Sequence, residues 1–469
     1  MSELPTFPAH GWQDEPWLSF HPEREEDRDR HPLKGLRRFG PLSGSLVSSM
    51  MDPIRVAAIF PHGCRTWFTG IIGELNRTHH PQERQQYLVE YPGFSTAFRV
   101  RAVEAEGISR ELPAATDGAI TASSTPHREL ADRLLSELNA LRRTSSQFDV
   151  LYLFLPERWS PGFRGPLGED FDLHDFLKAE CAAAAIPLQI LREDRVLKYK
   201  CRASVMWRLG LATYCKAGGI PWRIAGGDPG TAYIGLSYAI RASDTGPRFV
   251  NCCSQVFDAD GCGLQFLVYE SEEFREYGKN PFLTRDGMRR LMSRSRVMYQ
   301  KRHDGRSPKR VVVYKTTPFR YEEIDGCLDA WRSLAVDLIQ VQQDTPWRGI
   351  RVAGKHDIAG YPVHRGSCLP LSGTEALFWT QGIVPSVTGD NFYAAQKGIP
   401  NPLLLTRFSG HSGWAELTAE LLGLTKMNWN NDSLYDRLPV TIEYASSLAR
   451  IVKRLPSLSP RPYDFRYFM

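Results

Sequence analysis

No stretch of this 469-residue chain approaches the ~20 consecutive apolar residues that a bilayer-spanning helix requires. A membrane protein built from helices is therefore not expected. The opening MSELPTFPAHGWQDEPW lacks the basic-then-apolar order of a secretory signal. Nine cysteines are scattered along the chain, Cys252 beside Cys253, and no two pairs have zinc-ligand spacing. An odd, dispersed set suits reduced thiols better than a disulfide framework. A cytoplasmic protein is the expectation. Charge of one sign is also scarce. Lys and Arg number 58 against 53 Asp and Glu, a formal +5, too mild to imply nucleic acid by itself. No G-x-G-x-x-G follows the first apolar run, IRVAAIF (54–60), so dinucleotide binding has no support. Internal repeats and coiled-coil heptads are absent.

The composition that remains, 42% hydrophobic and 24% charged, is that of a globular protein with ample core and about two or three domains. Residues 1–45 are rich in Pro and charge and are expected to be extended or poorly ordered. From there to about residue 225, strands alternate with helices. IRVAAIF precedes a helix over 66–76, TAFRVRAV (96–103) has the pattern of a strand, and a Gly/Ala/Ser/Thr/Pro-rich loop fills 106–126. Leu130, Leu134, Leu138 and Leu141 then line one helix face. FDVLYLFLP is a strand, 172–185 a helix, IPLQIL a strand, and a helix from about Ala203 to Lys216 closes the set. Alternation with apolar strands predicts a parallel, Rossmann-like sheet.

Past residue 226 the order changes. AYIGLSYAI, RFVNCCSQVFDAD and CGLQFLVYES are three strands, the last two separated by a DADG turn signal. A basic helix, a strand (RVVVYKTTPF), a helix near IDGCLDAWRSLA and a strand (VDLIQVQQ) follow. Three antiparallel strands, then helix, strand, helix, strand, is the order of the RNase H fold. Phosphodiester hydrolysis on that scaffold uses two divalent metals roughly 4 Å apart, held by carboxylates. The first strand should supply an acid near its centre, where Leu236 and Ser237 stand. The fourth should supply one near its end, where Lys315, Thr316 and Thr317 stand. Lys315 would add positive charge where a metal belongs. Asp228 and Asp244 flank the first strand in loop sequence several residues from the expected position, so a scaffold without nuclease chemistry is expected. The basic run RDGMRRLMSRSRVMYQKRHDGRSPKR carries ten Arg or Lys against two Asp. It is either a solvated face or a phosphate-tracking patch, with Arg289, Arg290 and Arg294 as its candidate contacts.

His174 and Lys178, spaced i, i+4, share one face of a helix. Gln189 lies on or just after the next strand, and Lys216 ends the following helix before Gly218 and Gly219. These four could grip a terminal phosphate. Taken singly, each is equally a solvated helix residue, a strand end, or a C-terminal helix charge beside a glycine cap.

The chain resembles a short prokaryotic Argonaute, made of a MID and a PIWI domain without N and PAZ domains. The resemblance rests on GLRRFGPLSG, the H-x-x-x-K…Q…K set, KAGGIPWRI, YIGLSYA, VVVYKTT, GYPVHRGS, NPLLLTRF and LTKMNWNN…LPVTIEYASSLA. It covers about Leu36 to Lys453. It implies an α/β fold: a Rossmann-like MID domain over 46–225, followed by an RNase H-like PIWI domain over 226–469. It implies that His174, Lys178, Gln189 and Lys216 hold the 5′ phosphate of a guide RNA, His174 standing where Tyr is usual. Ser237 and Thr316 would mark lost carboxylates, with no catalytic residue left. The protein would recognise complementary single-stranded DNA of plasmid or phage origin without cutting it. A partner bearing an APAZ region and an effector (sirtuin-like, TIR or nuclease) would then act in antiviral defence. Endings like SPRPYDFRYFM place the terminal carboxylate, here Met469, near a Mg²⁺ at the guide's 5′ phosphate. Two alternatives stand beside this. One is a divergent metal nuclease using Asp228, Asp244 or Glu270. The other is a guide-independent single-strand binder.

Overall fold

The structure, a computed structural model, describes residues 10–45, 52–241, 249–257, 265–271, 273–353, 357–389, 398–454 and 463–469. Its first sheet is all parallel, in the order β2 (Ala102–Glu104), β1 (Ile54–Phe60), β3 (Val150–Leu155), β4 (Leu188–Arg192), and Arg110–Glu111 also runs beside β1. Every residue of β3 is buried, as expected of a strand covered on both faces. Helices α1 (Arg65–Leu75), α2 (Pro126–Arg142), α3 (Leu173–Ala183) and α4 (Arg202–Lys216) complete this half. The leucine stripe of α2 does face the core: Leu130, Leu134, Leu138 and Leu141 are all buried.

The second half is a ten-stranded sheet. Its centre is β5 (Thr231–Arg241), antiparallel to β6 (Phe249–Phe257), which pairs with β7 (Gln265–Ser271). On its other side β5 runs parallel to β8 (Arg310–Lys315), and β8 runs parallel to β9 (Ala335–Gln342). Helices α5 (Arg285–Arg302) and α6 (Tyr321–Ala330) pack together over one face. Helix α7 (Val440–Val452) covers the other. It comes so close that a Cβ on Gly235 would stand 2.0 Å from the Thr441 carbonyl oxygen. The RNase H order expected from the sequence is present. A hairpin (Phe274–Tyr277 with Asn280–Leu283) is inserted before α5, and the sheet is extended by Leu403–Ser409, Glu375–Phe378 and Ser367–Pro370. The DADG turn lies outside the described residues. No described helix is long and apolar enough to cross a membrane.

Three local expectations are corrected. The stretch 96–103 is not one strand: Phe94–Phe98 is a helical turn and only Ala102–Glu104 is extended. Phe94, Ala97 and Phe98 are buried together at helical spacing, and Arg99 ends the turn at φ 59°. The small-residue stretch after Glu106 contains the Arg110–Glu111 strand and a helix, Ala115–Ala122. Thr116 and Ile120, one turn apart, supply its buried face.

The third correction concerns the N-terminal segment. From His10 onward it is packed. Gly11–Trp12 pairs with Ser367–Cys368 at one edge of the large sheet, and Leu18–Ser19 pairs with Arg223–Ile224 between the halves. Leu18, Phe20, Leu33 and Leu36 are core residues. Charge, which suggested disorder, is instead buried and paired. The Glu15 carboxylate accepts from Arg365 Nε at 2.7 Å and from the Lys426 ammonium, all three side chains being nearly inaccessible. Burial pushes the Glu15 carboxyl up, but Arg365 and Lys426 outweigh it and hold it below the usual value. Removing one member of such a group strands the others without a counter-charge, at a cost of about 3–5 kcal/mol. Glu15→Gln is therefore expected to lower unfolding free energy by that order in a urea titration near neutral pH. The sign with pH follows from the depressed native value. The stabilisation is complete above the ordinary glutamate range and disappears as pH falls through the native one, so the variant and the parent should converge in acid.

Candidate nucleic-acid interface

The phosphate-site candidates meet where the two halves join. In α3 the i, i+4 spacing carries His174 at the surface and Lys178 into the interior, so one face runs from solvent to core. Asp172 caps the helix, accepting from the Asp175 N–H. His174 Nδ1 lies 3.1 Å from Asp175 Oδ1. The Lys178 ammonium donates to the Leu188 carbonyl at 2.7 Å and to a main-chain oxygen of Met469. Leu188 precedes Gln189, which is half-buried on β4 and donates to the Ile190 carbonyl.

Lys216 is the last residue of α4, and the chain then turns through Gly218 at φ +99°. Gly219 has no room for a side chain, since a Cβ there would stand 2.3 Å from the Tyr214 ring. The turn directs the Lys216 ammonium into the seam, where it is 0% exposed and has no hydrogen-bond partner among the described residues. Lys178 is near enough for its charge to act on it. Burial lowers Lys178 to about 8, and burial together with Lys178 depresses Lys216 well below the ordinary lysine value. The turn Phe465–Tyr467 packs against both α3 and α4. Its Arg466 guanidinium lies 3.7 Å from the Cβ position of Gly218. Thus Lys178, Lys216 and Met469 are brought together, Gln189 borders them, and His174 stands one turn outward at the opening. Two buried ammoniums, one with no hydrogen-bond partner among the described residues, make a setting whose chemistry suits an anion.

The donor set is a poor one for Mg²⁺, which prefers hard oxygen ligands. The Met469 oxygen is already engaged by the Lys178 ammonium, whose charge also acts on Lys216. Among the described residues one group of His and carboxylates has ligand spacing, Asp172, His174 and Asp175. Its members are already tied to one another and to the helix N-terminus.

On the second sheet, Leu236 pairs in register with Lys315, which sets Ser237 and Thr316 side by side one position on. Side chains alternate between faces along a strand. Lys315 therefore shares Leu236's face and not that of Ser237, which corrects the expectation that it sits where a metal would. Its ammonium is buried 2.6 Å from Glu323, with the Tyr238, Phe282 and Phe319 rings 4.7–5.1 Å away. The alternative carboxylates are dispersed. Asp228 accepts from the Gly230 N–H and the Thr231 hydroxyl at the opposite end of β5. Glu270 is exposed on β7, two strands away, roughly 10 Å by strand spacing. Asp244 lies outside the described residues.

The basic helix is less bare than its sequence. Arg289 pairs with Asp286 at 3.2 Å, Arg290 with Glu273, and Arg285 with Asp329 at 2.7 Å, while Arg294 is exposed. Glu273 and Asp329 come from outside the run, so counting within it overstated the field.

A parallel Rossmann-like unit and an RNase H-like unit, joined along a lysine-lined seam, define a two-part α/β protein. Solved structures with this arrangement are Argonautes. Clostridium butyricum Argonaute, solved with a guide DNA and a 19-mer target DNA, matches with a TM-score of 0.66 at 16% identity over 98% of this chain and 55% of its own. Drosophila Piwi matches at 0.63 and 14%, over 98% and 56%, and A. aeolicus Argonaute at 0.60 and 15%, over 98% and 55%. The chain thus has the fold of the MID and PIWI portions of Argonautes and spans about half the length of the proteins it matches. No family model and no curated protein sequence matches it.

The seam has a stability signature. A buried, unpartnered polar group costs about 1–3 kcal/mol, so Lys216→Met should raise the unfolding free energy of the free protein by that order. Native Lys178 holds its proton less tightly than an unfolded lysine. Its contribution should therefore rise with pH from about 8 toward the ordinary 10.5. Urea titrations at pH 7 and 9.5 check both, and Lys178→Met should flatten that pH dependence.

Proposed function

We propose that this chain binds a short guide strand, an RNA carrying a 5′ phosphate, at the Lys178–Lys216 seam and uses it to recognise complementary single-stranded DNA. The observation that carries the reading is Lys216: a fully buried ammonium with no hydrogen-bond partner among the described residues, near a second lysine and just before a glycine turn. A terminal phosphate would satisfy both cations at once. Gln189 would add a directed amide, and His174 would stand at the opening, near the first base. The likeness to an Argonaute solved with guide and target supports the same direction.

On this reading the RNase H-like half recognises the guide–target duplex without cutting it, since Ser237 and Thr316 offer neutral oxygens where metals need carboxylates. The output then comes from a partner. We infer an APAZ-containing effector (sirtuin-like, TIR or nuclease), switched on when plasmid or phage DNA pairs with the guide, in a defence role. The exposed Arg294, with Arg289 and Arg290, would follow backbone phosphates. The competing reading, a divergent nuclease, requires guide-directed cleavage by the purified chain in Mg²⁺ or Mn²⁺. None is expected.

The test is a titration of wild type and Lys178→Ala/Lys216→Ala with 5′-phosphorylated and 5′-hydroxyl guides. Each charge-assisted contact is worth about 1.5–3 kcal/mol, so the double variant should lose the phosphorylated guide by a factor of a hundred or more, on the order of the paired contacts, and the hydroxyl guide only slightly. Equal losses would remove the assignment. Arg289, Arg290 and Arg294 changed to Ala should weaken both guides alike and reduce the salt slope. Because the lysines supply the charge, EDTA should leave the phosphate preference in place.

A further inference from the structure

Beyond β9 the chain leaves the second sheet at Gln342 and forms a stretch that buries little of its apolar surface. Trp347 is 53% exposed, Ile350 50%, Val352 58% and Tyr361 62%. Arg351–Ala353 pairs with Asp357–Gly360 as a two-stranded ribbon, and the register Arg351↔Gly360 brings Ile350 and Tyr361 next to each other. Ribbons of two strands are marginal alone, but this one has a fixed base. Gly349 is so close to the body that a Cβ would lie 2.7 Å from Val363 and 3.2 Å from Trp379. Thr345 Oγ1 donates to the Pro402 carbonyl at 3.0 Å, and Asn401 Nδ2 donates to the Gln343 and Thr345 carbonyls. Arg348 folds back to donate to the Thr345 and Trp347 carbonyls at 3.2 and 2.7 Å. Its guanidinium is thereby held against the main chain of Trp347.

We propose that Trp347 and Tyr361, flanked by Arg348 and Arg351, form a platform on which the bases of a single-stranded nucleic acid stack. Three observations favour a nucleic acid over a protein. The exposed rings are interleaved with arginines, the combination that suits bases and phosphates together, whatever the sequence. The Trp347 ring stands on a backbone pinned at Gln343, Thr345 and Gly349, so ordering it costs little on binding. The platform also leaves from the carboxyl end of β9. In parallel register with β8, that is the end of the sheet where Ser237 and Thr316 stand, and ligands of α/β sheets gather outside the carboxyl ends of strands. The contact is sequence-tolerant and needs no 5′ phosphate. It stands apart from the Lys178–Lys216 assignment and would hold unpaired strand next to a duplex.

The test measures anisotropy of a 3′-labelled, 5′-hydroxyl oligothymidylate of about twelve nucleotides on the full chain without guide. Wild type is expected to bind, and Trp347→Ala/Tyr361→Ala to bind about tenfold or more weakly. Trp347→Phe/Tyr361→Phe, which keeps the rings, should stay within about threefold of wild type. Trp347→Leu/Tyr361→Leu, apolar but without a π face, should behave as the alanine pair does, which separates stacking from loss of fold. Arg348→Ala should lower the salt slope by about one. In the same preparations the preference for a 5′-phosphorylated over a hydroxyl guide should be unchanged, so failure here and failure of the seam assignment are read separately. No binding by wild type, or equal binding by the alanine pair, overturns the proposal. A wild type that ignores the oligonucleotide but self-associates through a contact abolished by the alanine pair also overturns it, and assigns the patch to protein docking.

Discussion

Two lysine ammoniums withheld from water at the seam set the terms for everything around them. Burying an unpaired cation is costly unless a counter-charge arrives. The seam holds Lys178 with main-chain oxygens alone and gives Lys216 nothing among the described residues. Such an arrangement persists because the surroundings are over-determined. α4 is buried along most of its length, the glycine turn is fixed by the Tyr214 ring, and the turn at 465–467 closes the third side. An anion bound as proposed would relieve the cost of burying these groups, so binding and stability would be linked through the same two side chains.

The rest of the molecule keeps the two halves from moving apart and opening that seam to water. One apolar core contains residues of both, Phe154 and Trp207 from the first and Tyr233 and Leu448 from the second. Polar ties add to it. The buried Asp432 accepts from Ser204 and Arg208 at 2.7 Å, and Asp170 is held by Lys453 and Arg454. The N-terminal segment acts as a strap. It pairs with the linker strand at Arg223–Ile224 and with the far edge of the large sheet, and buries Glu15 between two cations of the second half.

Much of this was legible in the sequence because periodicity reports burial. The strand–helix alternation, the leucine face of α2 and the three-strand start of the second sheet all came through. What was not legible depended on partners far along the chain. Pro and charge at the N-terminus gave no hint that Glu15 meets Arg365 and Lys426 about 350 and 411 residues later. Lys315 was read from its place in line, whereas the pleat and Glu323 decided its direction. The basic helix looked barer than it is because Glu273 and Asp329 arrive from neighbouring elements. Trp347 and Tyr361 carried a usable signal, aromatics interleaved with arginine, but exposure could not be read from it. Spacing left the lysines open and the family resemblance singled them out, yet only the fold distinguishes a solvated Lys178 from a buried one.

Gly235 ties these levels together. It lies two residues before Ser237 on the same face of the sheet, and what it controls is the helix packed there. With no side chain there, α7 rests directly on the centre of the sheet, and α7 also packs against α3 while the chain just past its end grips Asp170. The thickness of one methyl group at this position is therefore a spacer between the sheet that would read a target and the helix that carries Lys178. Any residue larger than glycine would push α7 outward and disturb the lysine seam without touching it. The bare strand centre can thus be understood as the gauge that sets the distance between the large sheet and the lysine seam.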